Sequence, residues 1–227
     1  MKLLKILLLS LSATFATANA AVVVVTDTSA VTTIPGLTGF STSGAQMDGL
    51  KVTANFTGFS QTLSWADTSA DSGGVTGDGW SLGVSGNTYS AAWQFNIMAG
   101  RGALQSLVLD ASGPQQVTVF DTFFGGAEGT PDSASGKSFQ FSSCSGCDAT
   151  ARYSNAVAIA PAAPVGDLFH TLAVNFANGG RTGSFSFFQD TDNDARLTTG
   201  FVPEPGSLPL FGLALLAIGA VVRRRRA

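Results

Sequence analysis

The chain has 227 residues, 44% of them hydrophobic and only 12% charged, with 17 Phe, three Trp and 27 Gly. Its formal charge of −3 hides an uneven distribution, because between positions 21 and 202 six basic residues stand against fourteen acidic ones, a net of −8. So acidic a body argues against nucleic-acid binding, and its aromatic content argues against a wholly disordered chain.

Lys2 and Lys5 precede a mostly apolar stretch over 6–16, and Ala18-Asn19-Ala20 places small residues two apart just before Ala21. A basic start, a short apolar core and a small-x-small site predict a secretory signal over 1–20, cut between Ala20 and Ala21. The partners this implies are the Sec translocon and signal peptidase.

From there to about 198 the pattern is one of strands. Leu50, Val52, Ala54 and Phe56 alternate with polar residues, as do Trp93, Phe95 and Ile97, then Phe139 and Phe141, then Leu172, Val174 and Phe176, then Phe185 and Phe187. A period of two with one apolar face predicts antiparallel sheet buried on one side. Further strands are expected over 60–65, 80–85, 104–110, 115–121 and 152–159. Turn chemistry separates them at Gly73-Gly74, Gly86-Asn87, Ser112-Gly113-Pro114, Gly125-Gly126 and Asn178-Gly179-Gly180. About ten strands without an amphipathic helix predict one all-β domain over 21–198, an antiparallel β-sandwich for which a jelly roll is one arrangement.

Within this body several groups could carry chemistry. Cys144 and Cys147 are the only cysteines, and export predicts a local disulfide between them. Asp190, Asp192 and Asp194 alternate and could converge on Ca²⁺, although Ala195 and Phe201 stand where an EF-hand loop needs Gly and Glu. The plainer reading of this segment is a solvated acidic link. His170, the sole histidine, is expected on a strand and partly exposed. No nucleophile elbow accompanies it, and Glu128 is the only glutamate before the tail. Trp65, Trp80 and Trp93, with Tyr89, are core candidates first and a sugar platform second. No catalytic residue and no cofactor other than calcium is expected, and the body reads as non-enzymatic. The alternatives are a carbohydrate- or calcium-binding adhesion module and, behind it, a secreted hydrolase with sequence-distant acids.

The tail is the most specific part of the chain. After a linker from 199 comes Val202-Pro203-Glu204-Pro205-Gly206, then a mostly apolar stretch over 207–222, then Arg223, Arg224, Arg225, Arg226 and Ala227. As a helix that stretch spans about 24 Å, short of a ~30 Å hydrocarbon core. It is predicted as a transmembrane helix that anchors the chain temporarily, with the four arginines stopping transfer on the cytoplasmic side. Prolines on both sides of Glu204 keep the motif extended.

Pro203, Glu204 and Pro205, the apolar helix and the arginine cluster together resemble the PEP-CTERM sorting domain. The resemblance implies processing by exosortase, a membrane transpeptidase, and an inner-membrane-anchored precursor later delivered to the cell surface or extracellular matrix. It also implies a Gram-negative source that makes exopolysaccharide, which would then be a partner. The body is similar to domains of other proteins with this tail, through Met47-Asp48-Gly49-Leu50, Val119-Phe120-Asp121, Gly129-Thr130-Pro131-Asp132-Ser133-Ala134 and Gly166-Asp167-Leu168-Phe169. That likeness implies no established activity.

Overall fold

The computed structural model describes residues 21–38, 42–113, 116–123, 130, 133 and 135–194. The expected signal peptide with Ala18 and Ala20, Glu128, and the sorting tail with Pro203 to Pro205 and the four arginines lie outside the described residues. The strands in chain order are β1 (Ala21–Thr26), β2 (Val31–Ile34), β3 (Leu37–Thr38), β4 (Lys51–Phe56), β5 (Phe59–Ser64), β6 (Ala66–Asp67), β7 (Ser72–Gly77) and β8 (Trp80–Ser85). They continue with β9 (Trp93–Ile97), β10 (Leu104–Asp110), β11 (Thr118–Asp121), β12 (Gln140–Ser143), β13 (Asp148–Ile159), β14 (Leu168–Phe176), β15 (Phe185–Phe188) and β16 (Asp190–Asp194). A 3-10 turn at Gly44–Gln46 is the one helical element among the described residues.

The strands form two sheets. One runs β12-β15-β9-β8-β7-β6, antiparallel throughout. In the larger sheet β14 lies against β13 on one side and against β10 and β11 in turn on the other, leading to β4-β5 and to β16-β3. The expectation of purely antiparallel pairing is corrected at one edge, where β1 and β2 both lie parallel to β13. Parallel neighbours need a long connection, and more than a hundred residues separate these partners in the chain.

A shared core makes the pair a sandwich. Val52 and Ala54 of β4, Leu107 and Leu109 of β10, and Leu172 and Val174 of β14 meet Trp80, Leu82, Trp93, Phe95, Phe185 and Phe187 of the smaller sheet. The alternation seen in the sequence is the burial pattern found: Val52, Ala54 and Phe56 are buried, while the residues between them are exposed or half-buried. Stacked rings Trp80–Phe95, Phe95–Phe185 and Trp93–Phe187, with centroids 5.6, 5.1 and 5.6 Å apart, fill the centre. The three tryptophans are therefore core. All are 2% exposed or less, and they supply no sugar platform.

Two further expectations are corrected. Gly73-Gly74 is not a turn but the middle of β7. Trp65 Nε1 donates to the Gly44 carbonyl at 2.8 Å, and a Cβ on Gly73 would collide with both atoms, so the glycine answers a close approach rather than a bend. The 190–194 segment is not a solvated link. It is β16, paired with β11 and buried at four of its five residues.

Position 155 also matters. Asn155 has φ +56°, the left-handed conformation that Asn tolerates better than most residues. Before it, Ala149, Ala151 and Tyr153 face the main core; after it, Ala156 does, while Val157 packs in a second cluster with Ile34, Val119 and Leu168. The chain thus switches phase, and a second small apolar layer forms on the outer face of the larger sheet.

Candidate functional site

Next to this outer layer lies a group of buried carboxylates. Asp121 closes β11 and is paired in register with Asp190 of β16, while Val119 stands opposite Asp192. Register and the period of two place Asp121, Asp192, Val119 and Asp190 on the outer face, and Phe120 and Thr191 on the inner one. Thr191 Oγ1 accordingly contacts the Met47 sulfur at 3.6 Å. Asp121, Asp167, Asp190, Asp192 and Asp194 are all at most 4% exposed.

These acids hold a turn. Ser133 N donates to the Thr130 carbonyl at 2.8 Å. Asp167 takes the Thr130 amide at 2.5 Å and its hydroxyl at 2.6 Å, one on each carboxylate oxygen. The Ser133 hydroxyl lies 2.6 Å from Asp121 Oδ2 and also in contact with Asp192 Oδ2. One hydroxyl has one proton to give, so the second contact needs either a proton on one of the two carboxyls or a bound cation. Asp190 is held apart from them, accepting from Thr88 Oγ1 at 3.2 Å and from the Thr191 amide at 2.9 Å. Of the three acids that could converge on a cation, Asp190 and Asp192 turn to different partners, and Asp192 shares the Ser133 hydroxyl with Asp121. Among the described residues no three acidic, histidine or cysteine side chains gather closely enough to cage a metal by themselves.

Burial decides the electrostatics. Desolvation pushes the Asp121 carboxyl up to about 8, opposed by the Ser133 hydrogen bond and reinforced by the charges of Asp192, Asp190 and Asp167. Asp190 rises to about 7 and Asp192 to about 6, again chiefly through burial. Lys137 eases Asp190, but its ammonium is directed to the Tyr89 carbonyl and to the rings of Tyr89 and Phe188, 4.2 and 4.9 Å away.

Gln189, fully buried, ties this cluster to the core. Its carbonyl accepts from Trp93 Nε1 at 3.0 Å and its side-chain oxygen from the Tyr153 hydroxyl. Its amide donates to the carbonyls of Asp190 at 2.7 Å and Asp121 at 3.3 Å. Tyr153 in turn accepts from the Phe139 amide at 2.6 Å, and burial raises its pKa.

The remaining expectations fall as follows. His170 lies on β14 as expected but is 1% exposed rather than partly exposed, because it stands where β14 is covered on both faces. Cys144 and Cys147 are joined across the Ser145-Gly146 turn, their Cα atoms 5.6 Å apart. Sequence reading picked out Val119-Phe120-Asp121 and the 129–134 segment without giving Asp121, Thr130 or Ser133 a role, and it passed over Gln189. Asp121, closing the apolar-rich run Val117-Thr118-Val119-Phe120, was the available signal.

The described body is thus an all-β sandwich with a buried acidic centre, a class of fold that by itself assigns no reaction. The tail places it further: residues 201–226 match the PEP-CTERM protein-sorting motif. The chain thus carries a PEP-CTERM sorting motif at its C-terminal end, which implies export, a membrane-anchored precursor and exosortase as the processing partner. No curated protein and no solved structure matches it. Among the described residues no helix is long and apolar enough to cross a membrane.

Proposed function

We propose that the chain is a non-enzymatic structural protein of the envelope or exopolysaccharide matrix of a Gram-negative cell, carried there by its sorting tail. The PEP-CTERM match over 201–226 carries the reading. Two features of the body support it. The groups best suited to acid–base work, Asp121, Asp190, Asp192 and His170, are sealed from solvent, where a substrate cannot reach them. The open groove on the outer face of the smaller sheet, about 810 Å³, is lined by residues such as Ser72, Thr76, Ser81, Gln94 and Asn96 and by no titratable side chain.

The tail works in two separable steps. The apolar stretch over 207–222 and Arg223 to Arg226 halt translocation, leaving Pro203-Glu204-Pro205 at the outer membrane face. The protease then captures an extended peptide whose conformation is already restricted, so less entropy is lost on binding. Replacing Pro203, Glu204 and Pro205 with Ala is expected to spare export but block release, so that a full-length form accumulates in the inner membrane. Fractionation and C-terminal mass in the native host read this out. A triple variant trimmed and sorted like wild type would leave a plain tail anchor as the better account.

A further inference from the structure

The buried acidic centre holds a carboxyl oxygen without a partner, independent of how the chain is sorted. Asp121 Oδ1 is sealed from solvent and has no hydrogen-bond partner. A carboxylate oxygen in that state costs free energy unless something neutralises it. Beside it stands Gly136. A Cβ there would collide with Asp121 Oδ1 and with the Thr122 carbonyl oxygen, so the missing side chain is what lets these two oxygens converge. The other oxygen of Asp121 leads through Ser133 Oγ to Asp192 Oδ2. Carboxylate, hydroxyl and backbone carbonyl thus meet within one carboxyl group's reach, without sulfur or imidazole.

We propose that Asp121 and Asp192, together with Ser133 Oγ and the Thr122 carbonyl, bind a hard divalent cation of the calcium class. Such ions take six to eight oxygen ligands, mixing side chains, carbonyls and water in a flexible geometry. Two carboxylates suffice to neutralise a divalent charge, so a third acid is not required. The ligands come from β11, from the residue that follows it, from β16 and from the 130–133 turn. Binding would therefore clamp that turn onto the outer face of the larger sheet, close to where the chain leaves for its sorting tail. It would also supply the second charge that Ser133, with its single proton, cannot. These ligands differ from the alternating Asp190, Asp192 and Asp194, of which only Asp192 takes part.

The test uses the full chain purified in detergent and stripped with a chelator. Ca²⁺ is then titrated while binding heat and melting temperature are followed. Calcium at about a hundredfold excess over its dissociation constant is expected to raise the folding equilibrium about a hundredfold. Asp121→Asn and Asp192→Asn should each abolish the binding heat and the thermal shift, whereas Asp78→Asn, on an exposed acid, should keep both. Should either Asn variant fail to fold, Ser133→Ala decides, because it removes a neutral ligand and is expected to weaken calcium affinity. Absence of heat and of thermal shift at several millimolar calcium overturns the proposal. So does a shift that persists in both Asn variants, or an affinity unchanged in Ser133→Ala.

Discussion

At the scale of single residues, Gln189 shows how much one side chain can connect. It is fully buried, accepts from the Tyr153 hydroxyl, and donates to the carbonyls of Asp190 and Asp121. Leu has a similar volume but can make none of these bonds. Gln189→Leu should therefore leave the Tyr153 hydroxyl without its acceptor and take a donor from the Asp190 carbonyl, while the Asp121 carbonyl keeps the Lys137 amide at 3.2 Å, at a cost of about 1–3 kcal/mol. Urea unfolding reads this as a lower midpoint with an unchanged slope. A loss below roughly 0.5 kcal/mol would show that the network is already satisfied by other means. Nothing in the sequence marks Gln189, since a glutamine between Phe188 and Asp190 reads equally well as a turn residue. Cys144 and Cys147 were legible because only two residues separate them. Asp121 was not, because its partner Asp192 lies about seventy positions away.

At the scale of elements, alternation was a good guide wherever a strand has one wet face. The expected spans over 80–85, 93–97 and 104–110 coincide with β8, β9 and β10. It failed where burial does not alternate. β11 is buried at all four residues and was placed too early, and β16 is almost fully buried although it is rich in Asp. β1 failed for the opposite reason. Its run of valines is largely exposed along the sheet edge, with Val23 58% exposed. Apolar edges of this kind favour unwanted pairing, and β1 is fastened at its end by charge. Arg152 of β13 meets Asp27 at 2.5 Å. The Ser29 hydroxyl and amide, and then Arg152, lower the Asp27 carboxyl from 3.8 to about 2. A depressed carboxylate contributes stability that is fully present above its unfolded value near 3.8 and is lost as pH falls through about 2. A carbon NMR titration of Asp27 should accordingly show a midpoint near 2, moving upward in Ser29→Ala. A wild-type midpoint near 3.8 would mean that the Asp27 contacts do not hold in solution.

For the whole molecule, the expected processing of the N-terminus meets the edge of the larger sheet. Ala21, the residue after the expected cleavage site, is the first of β1, and its nitrogen donates to the Cys147 carbonyl at 2.8 Å. A freed amino group at Ala21 can still donate this bond, so the expected cleavage is compatible with the β1–β13 pairing. The exported protein is expected to start at Ala21 and to carry Cys144 and Cys147 joined. N-terminal sequencing that finds Met1, or alkylation that finds two free thiols on quenched material, would count against this. Reduction should cost at most about 2 kcal/mol, because so small a loop removes little entropy from the unfolded chain.

What the sequence by itself determined is what can be read along a line. The sorting tail is a contiguous motif over 201–226, so it can be read from the sequence whatever the fold of the body. One-sided strands announce themselves because water on one face and core on the other impose a period of two. Only the tertiary structure decided which polar residues lose their water. That depends on pairings such as β11 with β16 and β1 with β13, on the phase switch at Asn155, and on the turn laid over the outer face. Desolvation is a property of neighbours, and the neighbours that make Asp121, Asp190 and Asp192 a single acidic centre come from distant parts of the chain.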